Sequence, residues 1–225
     1  MNVLILGSEG ILGSYLSKYL SASYFNIIEI NRNNRNSVLN NIKNKNINVN
    51  TIVNCVALTN VDLCNANIEL AFESNANYIK RFIEEINLRD IHFIQISTDQ
   101  VYSGLGNHKE IDPLPVNVYG LTKLLGEEYS KKLFSTVLRI NYLSKSTSKR
   151  RNSFTDWLYN SLKNKSNITL FEDILFSPLH INDLCESIKT VINNPIKGVY
   201  NLGACESISK AKFGIEFAQG LSLST

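Results

Sequence analysis

The chain has 225 residues, a formal net charge of +3 at pH 7, 44% hydrophobic residues and 19% charged residues. Its longest run of one sign is Lys149-Arg150-Arg151, so the charge pattern indicates neither nucleic acid nor an acidic membrane as a partner. No apolar stretch approaches the roughly 18 residues that a membrane span requires, and the N-terminus has the pattern of a buried strand rather than of a signal peptide. We therefore expect a cytoplasmic protein whose length permits a sizeable core.

The first predicted strand, Val3–Leu6, leads directly into a glycine-rich loop and then into an amphipathic helix. Three glycines spaced in this way have separate uses: the first permits a tight turn, the second lets a pyrophosphate approach the backbone, and the third lets the helix pack on the strand. The helix N-terminus also presents free N–H groups to phosphate. We therefore predict a dinucleotide-binding site formed by Gly7, Gly10, Ile11, Leu12 and Gly13.

The second predicted strand, Phe25–Ile30, ends at the residues that we expect to select the cofactor. A site for NAD usually places Asp or Glu on the adenosine ribose, whereas this chain has Asn31 followed by Arg32. A 2'-phosphate would meet a cation there rather than a carboxylate, which favours NADPH. Arg32 stacking on the adenine or facing water is the alternative, and NADH then remains possible.

A short helix at about 38–43 is predicted next, followed by a strand at Thr51–Cys55. The clearest helix of the chain then runs from about Ile68 to Ile86, with apolar side chains spaced to bury one stripe. Asn75 interrupts this stripe. It is either a buried hydrogen-bonding group behind the site or a polar residue at the edge of the stripe.

The fourth predicted strand, His92–Ile96, is followed by Ser-Thr-Asp-Gln-Val-Tyr at residues 97–102 and, further on, by Tyr119 and Lys123. Residues four apart stand on one face of a helix, and Thr98 follows a neighbouring strand. A phenol with a pKa of about 10 donates a proton usefully at neutral pH only if a nearby cation lowers that pKa. We expect Lys123 to supply the cation, so that the three side chains serve the reduction of one carbonyl group.

The last strands of the sheet are predicted at Ser135–Leu138 and Val199–Leu202, and the alternation of strands and helices indicates a parallel sheet covered on both faces. We predict a Rossmann-type doubly wound α/β domain at 1–140, to which 181–203 return. Residues 141–180 and 204–225 are expected to form a partial substrate lobe with a final helix near Ser209. This lobe looks incomplete, as in a truncated chain or a shortened homologue.

The cysteines and histidines show no metal-ligand spacing. Without a C-x-x-C pair, the cysteines are expected to be reduced thiols of the core. We expect no metal site. The residues concerned are Cys55, Cys64, Cys185, Cys205, His92, His108 and His180.

Five segments of the chain resemble, in the same order, those of the extended short-chain dehydrogenases/reductases, and among these the dTDP-4-dehydrorhamnose reductases. The Gly-x-x-Gly-x-x-Gly spacing of the first segment is the one typical of the superfamily. The Ser-Thr-Asp sequence at 97–99 is more specific, because ordinary members usually carry a Ser-rich sequence there. The segments are 7–13, 54–62, 97–102, 115–127 and 198–202.

The resemblance implies reduction of the 4-keto group of a nucleotide-activated deoxysugar, with hydride supplied by the cofactor. Tyr119 would be the general acid, and Lys123 would bind the nicotinamide ribose and lower the pKa of Tyr119. Thr98 would hydrogen-bond the carbonyl oxygen. The nucleotide sugar would be the partner, and a homodimer is possible because some relatives form one with the help of a metal.

Further positions match the family with substitutions. Ala57, Leu58 and Thr59 match a turn that lies along the cofactor, with Leu58 in place of a frequent His. Asp99 and Tyr142 match positions that contact the sugar nucleotide, with Tyr142 in place of a Trp, so that an aromatic platform is retained.

Two other functions remain open at this point. Another nucleotide-sugar epimerase or ketoreductase would use the same trio, and only its base and sugar pockets would distinguish it. A non-catalytic dinucleotide binder is the second, because a regulatory subunit of methionine adenosyltransferase resembles this family. The intact Thr98, Tyr119 and Lys123 favour catalysis, while the nucleotide base, the sugar and the oligomeric state stay undetermined.

Overall fold

The structure, a computed structural model, describes residues 1–31, 33–86, 91–148 and 152–223. Arg32, which was expected to select the cofactor, and the basic run 149–151 lie outside the described residues. Strands and helices alternate along the chain as the sequence predicts. The strands are β1 Asn2–Leu6, β2 Asn26–Ile30, β3 Thr51–Asn54, β4 His92–Thr98, β5 Ser135–Ile140, β6 Tyr142–Leu143, β7 Leu175–Phe176, β8 Leu179–His180, β9 Gly198–Leu202 and β10 Ile208–Ser209.

Helices cover the sheet between these strands. A π-helical turn at Glu73–Asn77 joins two of them, and a short 3-10 turn at Asp99–Val101 follows β4. The helices are α1 Ile11–Ser21, α2 Arg35–Lys43, α3 Val61–Ala66, α4 Ile68–Phe72, α5 Tyr78–Ile86, α6 Val118–Ser130, α7 Phe154–Lys163, α8 Ile181–Asn193 and α9 Lys210–Gly220.

Six parallel strands form the central sheet in the order β2-β1-β3-β4-β5-β9. The chain passes from β1 to β2 on one side and then to β3 on the other side, so the strand order reverses between β1 and β3. In open sheets of this kind, ligands bind outside the carboxyl ends of the strands at such a reversal. The predicted Rossmann-type doubly wound sheet is thus confirmed.

Both faces of the sheet are buried because successive side chains of a strand point to opposite sides. In β1, Val3 and Ile5 join the core cluster that contains α1 and α8, whereas Leu4 and Leu6 join the cluster that contains α2 and α5. All four side chains are at most 1% exposed. Two hydrophobic layers therefore fix the helices on the sheet and hold its carboxyl edge rigid.

The predicted strands of the sheet end within two residues of the observed ones. The largest differences are at β4 and β5, which continue two residues further, to Thr98 and Ile140, and these two residues are still paired. The extensions contain polar residues, which end an apolar pattern in the sequence but are buried in the structure. The helix predicted at 68–86 is also interrupted, since its middle turn is π-helical.

The short strands β6, β7, β8 and β10 and the helices α7 and α9 build a smaller layer at the carboxyl edge of the sheet. Strand β6 pairs with β8 in parallel, and β7 pairs with β10 in antiparallel fashion. Phe154 of α7 and Phe213 of α9 pack together, with ring centroids 5.8 Å apart, and both contact Phe176 of β7. The boundary predicted between the two lobes remains a prediction.

The cysteines are free thiols, and Cys64 and Cys185 are buried as expected. The expectation of a core thiol is wrong for Cys205, which is exposed in the turn before β10, and Cys55 is only half-buried by exposed area. Among the described residues, no group of His, Cys, Asp and Glu side chains is placed to hold a metal ion. Within the same residues, each helix is too short or too polar to span a bilayer.

Candidate active site

The glycine loop between β1 and α1 has the shape that the sequence predicts. Gly7 has a φ of 77°, a conformation that favours glycine, and its carbonyl oxygen accepts a hydrogen bond from the Gly10 amide at 2.9 Å. A Cβ on Gly13 would lie 2.3 Å from the Gly7 oxygen, so only glycine permits this close packing of helix and loop. The loop therefore brings the N-terminus of α1 to the carboxyl end of β1.

This loop fits a dinucleotide diphosphate. Helix α1 begins after Gly10, which has no side chain to cap the first N–H groups. Those groups and the positive end of the helix dipole are suited to an anion. The hydroxyl of Ser8 is buried in the same loop and has no hydrogen-bond partner among the described residues. Ser8 was not among the predicted site residues, although its place between two of the glycines was visible in the sequence.

The end of β2 is organised by asparagine side chains. Asn31 Oδ1 accepts hydrogen bonds from the backbone amides of Asn33 and Asn34, at 2.8 and 3.1 Å, and Asn34 Oδ1 accepts from the Asn31 amide at 2.8 Å. The amide oxygen of Asn31 therefore shapes the turn before α2. Its role at the cofactor ribose stays a prediction.

The turn after β3, which contains Ala57, Leu58 and Thr59, is held from behind by Asn75. Asn75 Oδ1 accepts a hydrogen bond from the Leu58 amide at 2.7 Å, and its Nδ2 donates to the Leu58 oxygen at 3.1 Å and to Thr122 Oγ1 at 3.0 Å. Asn75 is fully buried. Of the two interpretations of Asn75, the buried hydrogen-bonding group behind the site is the correct one.

Tyr119 and Lys123 lie on α6, whose N-terminus approaches the end of β4. Asn117 caps this helix by accepting a hydrogen bond from the Gly120 amide at 2.7 Å, and its own amide group donates to Gln100 Oε1 at 3.2 Å. A Cβ on Gly120 would lie 2.2 Å from the Gln100 carbonyl oxygen. Glycine after Tyr119 thus allows the helix to contact the turn that follows β4.

The side chains of Thr98 and Tyr119 meet at this contact, and both are buried. Burial raises the pKa of Tyr119 above its ordinary value. The Thr98 hydroxyl lowers this pKa, while the charge of Asp99 raises it further. Because the burial effect is the largest, the phenol is protonated at neutral pH.

Lys123 is buried one helical turn further along α6, and its Nζ donates a hydrogen bond to the Ile96 oxygen of β4 at 2.6 Å. Burial lowers the pKa of Lys123 to about 8, and the charge of Glu127 opposes that shift. The expected lowering of the Tyr119 pKa is not seen in this structure, whereas the effect of Lys123 on that pKa stays a prediction. The ammonium is engaged at the β4 carbonyl, and burial of the phenol outweighs the lowering effect of Thr98.

A buried polar network fixes α6 against the sheet. Glu127 is fully buried and accepts hydrogen bonds from Arg139 of β5, at 2.7 to 3.2 Å, and from the Ser97 hydroxyl of β4. Arg139 Nη1 also donates to Tyr102 Oη at 2.6 Å. Sequence reasoning missed this network. Its signals were a charged residue inside the apolar pattern of β5 and a glutamate four residues after Lys123.

Asp99 lies directly beyond Thr98. Its Oδ2 accepts a hydrogen bond from Asn141 Nδ2 at 2.7 Å, and its Oδ1 accepts from the Thr98 hydroxyl at 3.2 Å. Burial raises the pKa of Asp99, and these two hydrogen bonds lower it. Tyr142 follows Asn141, and its charge also raises the pKa of Tyr119. The positions matched to sugar-nucleotide contacts therefore interact with Thr98 or Tyr119.

A cavity of about 470 Å³ lies in the smaller layer, between α7, α9 and β6. Its lining combines apolar and aromatic residues, such as Leu143, Tyr159, Phe213 and Phe217, with polar ones such as Asp156 and His180. The lining comes from the segments beside Tyr142 rather than from Thr98, Tyr119 or Lys123, so this cavity adjoins the candidate site without containing it.

A family model described as "RmlD substrate binding domain" matches residues 1–224. The chain belongs to this RmlD family. The match extends over the glycine loop, the Ser-Thr-Asp turn, α6 and the smaller layer together. The family is thus the one implied by the resemblance of the sequence segments.

Two relatives illustrate the similarity of this RmlD family member to characterised sequences. It is 27% identical over 221 residues to the dTDP-4-dehydrorhamnose reductase of Salmonella typhimurium. This match covers 91% of the chain and 73% of the Salmonella protein. It is 25% identical over 173 residues to the "Probable low-salt glycan biosynthesis reductase Agl14" of Haloferax volcanii, which covers 74% of the chain. That second match spans only 58% of the Haloferax protein.

A solved structure shows the same fold as this RmlD family member. The dTDP-4-dehydrorhamnose reductase of Bacillus anthracis, in complex with NADP, superimposes with a TM-score of 0.87. The match covers 100% of this chain and 82% of that one at 24% identity. The arrangement of the sheet and the smaller layer is therefore shared.

Proposed function

We propose that the chain is an NAD(P)H-dependent oxidoreductase that reduces a nucleotide-activated sugar, and that its reaction is the reduction of dTDP-4-dehydrorhamnose to dTDP-L-rhamnose. The observation that carries the proposal is the contact of the Tyr119 phenol with the Thr98 hydroxyl, at the same edge of the sheet as the glycine loop. Membership of the RmlD family and the similarity to a named reductase support it.

The two hydroxyl groups have complementary roles in this reaction. Thr98 holds the carbonyl oxygen of the sugar by donating to it the hydroxyl proton that Asp99 Oδ1 accepts in this structure, and Tyr119 transfers its phenolic proton to that oxygen as negative charge develops there. The raised pKa of Tyr119 keeps this proton in place at neutral pH until the oxygen becomes strongly basic. Bound NADPH supplies the hydride.

Lys123 contributes a positive charge one helical turn from Tyr119 on α6. With a pKa of about 8 it is an ammonium at neutral pH, and its attachment to the Ile96 oxygen fixes its position. In the proposed reaction it binds the nicotinamide ribose hydroxyls and offsets the negative charge that develops on the sugar oxygen. It does this as a fixed charge held at the Ile96 oxygen.

The cofactor is held by three segments in this proposal. The glycine loop receives the diphosphate, and the turn at 57–59, braced by Asn75, lies along the dinucleotide. Asn31 occupies the position at which NAD-specific sites carry a carboxylate, so a 2'-phosphate meets no repulsion from that residue. NADPH is accordingly the proposed cofactor, and NADH is its competitor in the test.

The decisive experiment follows NADPH oxidation with dTDP-4-keto-6-deoxy-L-mannose for the wild type, Tyr119→Phe and Tyr159→Phe. Tyr159 is 40% exposed and serves as the control. We expect Tyr119→Phe to lose about 100-fold or more in kcat, while NADPH still raises the melting temperature. Equal rates for Tyr119→Phe and the wild type would remove Tyr119 from the reaction.

The same assay separates the neighbouring functions. Turnover with UDP-activated or GDP-activated keto sugars, but not with the dTDP sugar, would replace the proposed substrate with another nucleotide sugar. Binding of NADPH without turnover of any keto sugar would contradict the reductase and favour a dinucleotide-binding protein. NADH replacing NADPH at equal kcat/KM would contradict the cofactor preference.

A further inference from the structure

Lys210, the first residue of α9, has a side chain fixed by aromatic rings. Its Nζ lies 3.4 Å from the ring centroid of Phe176 and 4.5 Å from that of Phe154. Its backbone amide donates to the Ile174 oxygen at 3.1 Å. Cation–π contacts on two rings and a tethered backbone leave the ammonium little freedom to move.

The ammonium of Lys210 interacts electrostatically with a residue of the candidate active site. Its positive charge acts on Asp99, whose carboxylate is hydrogen-bonded to Thr98 and Asn141. The backbone oxygen of Asn141 accepts a hydrogen bond from the Leu179 amide at 3.0 Å, and Leu179 is three residues after Phe176 in the sequence. The smaller layer therefore contributes a cation, Lys210, whose charge acts on Asp99. Asp99 is the neighbour of Thr98, which is proposed to hold the carbonyl oxygen.

The ammonium retains its capacity to donate hydrogen bonds. Within the part of the chain that the structure describes, Lys210 Nζ has neither a hydrogen bond nor an ion pair within 4.0 Å. An ammonium carries three donors, and in this half-buried side chain they remain available to a ligand. The nearby Lys212 differs, since its side chain is 70% exposed and faces Glu216 on the surface.

The charges of the pair determine what it can bind. Lys210 and Asp99 carry opposite charges that sum to zero, and together they offer donors beside an acceptor. A neutral hydroxyl group can satisfy both, because it accepts from the ammonium and donates to the carboxylate. A diphosphate would be attracted by Lys210 but repelled by Asp99 at similar range.

We propose that Lys210 and Asp99 together bind a hydroxyl group of the substrate's sugar ring, next to the carbonyl group held by Thr98, and that Lys210 is a specificity-determining residue. This inference rests on the proposed reduction of a nucleotide sugar. It assigns to the C-terminal helix a direct contact with the sugar.

The experiment compares Lys210→Met with Lys210→Arg and with the control Lys212→Met. Methionine keeps the aliphatic stem on the Phe rings but removes the charge, whereas arginine keeps the charge and the cation–π contact. We measure KM and kcat for NADPH oxidation with dTDP-4-keto-6-deoxy-L-mannose, and the inhibition constant of dTDP, which lacks the sugar. Melting temperatures verify that each variant is folded.

Loss of a hydrogen bond from a charged donor predicts a KM about 10- to 100-fold higher for Lys210→Met, with the inhibition constant of dTDP unchanged. Lys210→Arg is expected to recover most of the loss, and Lys212→Met to behave as the wild type. An equal weakening of dTDP would assign Lys210 to the diphosphate and overturn the inference. If the wild type turns over the substrate and Lys210→Met has an unchanged KM, the inference is overturned while the proposed function stays intact. A wild type without turnover would contradict both.

Discussion

Arg139 and Glu127 form an ion pair of 2.7 Å in which both side chains are at most 1% exposed. The pair joins β5 to α6, and Arg139 extends the connection to Tyr102 and to the Glu110 oxygen at 2.9 Å. A buried pair of this kind contributes little net stability over an apolar pair, but each partner makes the other tolerable in the interior. The network therefore fixes the position of α6, which carries the candidate catalytic residues Tyr119 and Lys123, relative to β4 and β5.

Replacing Arg139 by Met should lower the free energy of unfolding by about 3–5 kcal/mol, because the Glu127 carboxylate would remain buried without its partner. Urea unfolding measures the change. The matched control is Lys131→Met, which breaks the exposed pair with Glu128 at the end of the same helix and should cost less than about 1 kcal/mol. Similar losses for both variants would show that burial of the Arg139 pair is not what matters.

Asn75→Leu should weaken NADPH binding as well as stability. The variant leaves the Leu58 amide without its acceptor, which is expected to cost about 1–3 kcal/mol of unfolding free energy and to loosen the turn along the cofactor. Thermal shift with and without NADPH measures both effects. Asn77→Leu is the control, since Asn77 bonds to the surface residue Glu73. A loss of stability with unchanged NADPH affinity would separate Asn75 from the cofactor site.

Gly13→Ala should damage the dinucleotide loop. The added Cβ would lie 2.3 Å from the Gly7 oxygen, so loop and helix must separate, at a cost of about 1–3 kcal/mol in stability and a weaker affinity for NADPH. Gly220→Ala at the end of α9 meets no atom within 4 Å and should be neutral or stabilising by up to about 1 kcal/mol. Fluorescence titration with NADPH measures the affinity of each variant. Equal affinities for Gly13→Ala and Gly220→Ala would contradict the assignment of the glycine loop to the cofactor.

His92 should make stability depend on pH below neutrality. Its Nε2 contacts Thr136 Oγ1 at 2.7 Å, its Nδ1 is buried with no partner among the described residues, and burial lowers the pKa of His92. The unfolded chain, with a histidine pKa of about 6.5, then binds a proton that the folded chain resists. Stability is therefore complete above about pH 6.5 and falls below it, by at most about 1.4 kcal/mol per pH unit.

The measurement is urea unfolding between pH 8 and pH 5 for the wild type, His92→Gln and His180→Gln. We expect the pH dependence to flatten only in His92→Gln, because His180 is exposed. Comparison between variants cancels the contribution of carboxylates that titrate in the same range. A slope unchanged in His92→Gln would contradict the role given to His92.

Local patterns in the sequence predicted much of the fold. Strands such as Val3–Leu6 have apolar runs of the right length, and the spacing of Gly7, Gly10 and Gly13 indicates a turn and a helix start without reference to the rest of the chain. The pairing of Tyr119 and Lys123 on one helix face follows from helical geometry alone. The roles of these residues in cofactor and substrate binding stay predictions until they are measured.

Contacts between distant segments were beyond the reach of these patterns. A lowered pKa of Tyr119 was predicted from the presence of Lys123, but burial of the phenol has the largest effect on that pKa and raises it, and this burial is not visible in the sequence. Asn75 showed the same difficulty, because both of its interpretations fit one helical stripe.

The sequence by itself determined the alternation of strands and helices, the parallel sheet and the order of the loops at its edge, because periodicity and glycine spacing act over a few residues. Only the tertiary structure decided that Arg139 neutralises Glu127, that Asn75 braces the turn after β3, and that the charge of Lys210 in the last helix acts on Asp99. The partners in these contacts are separated by 12 to 111 residues, and their energies depend on burial and distance, which exist only once the chain has folded.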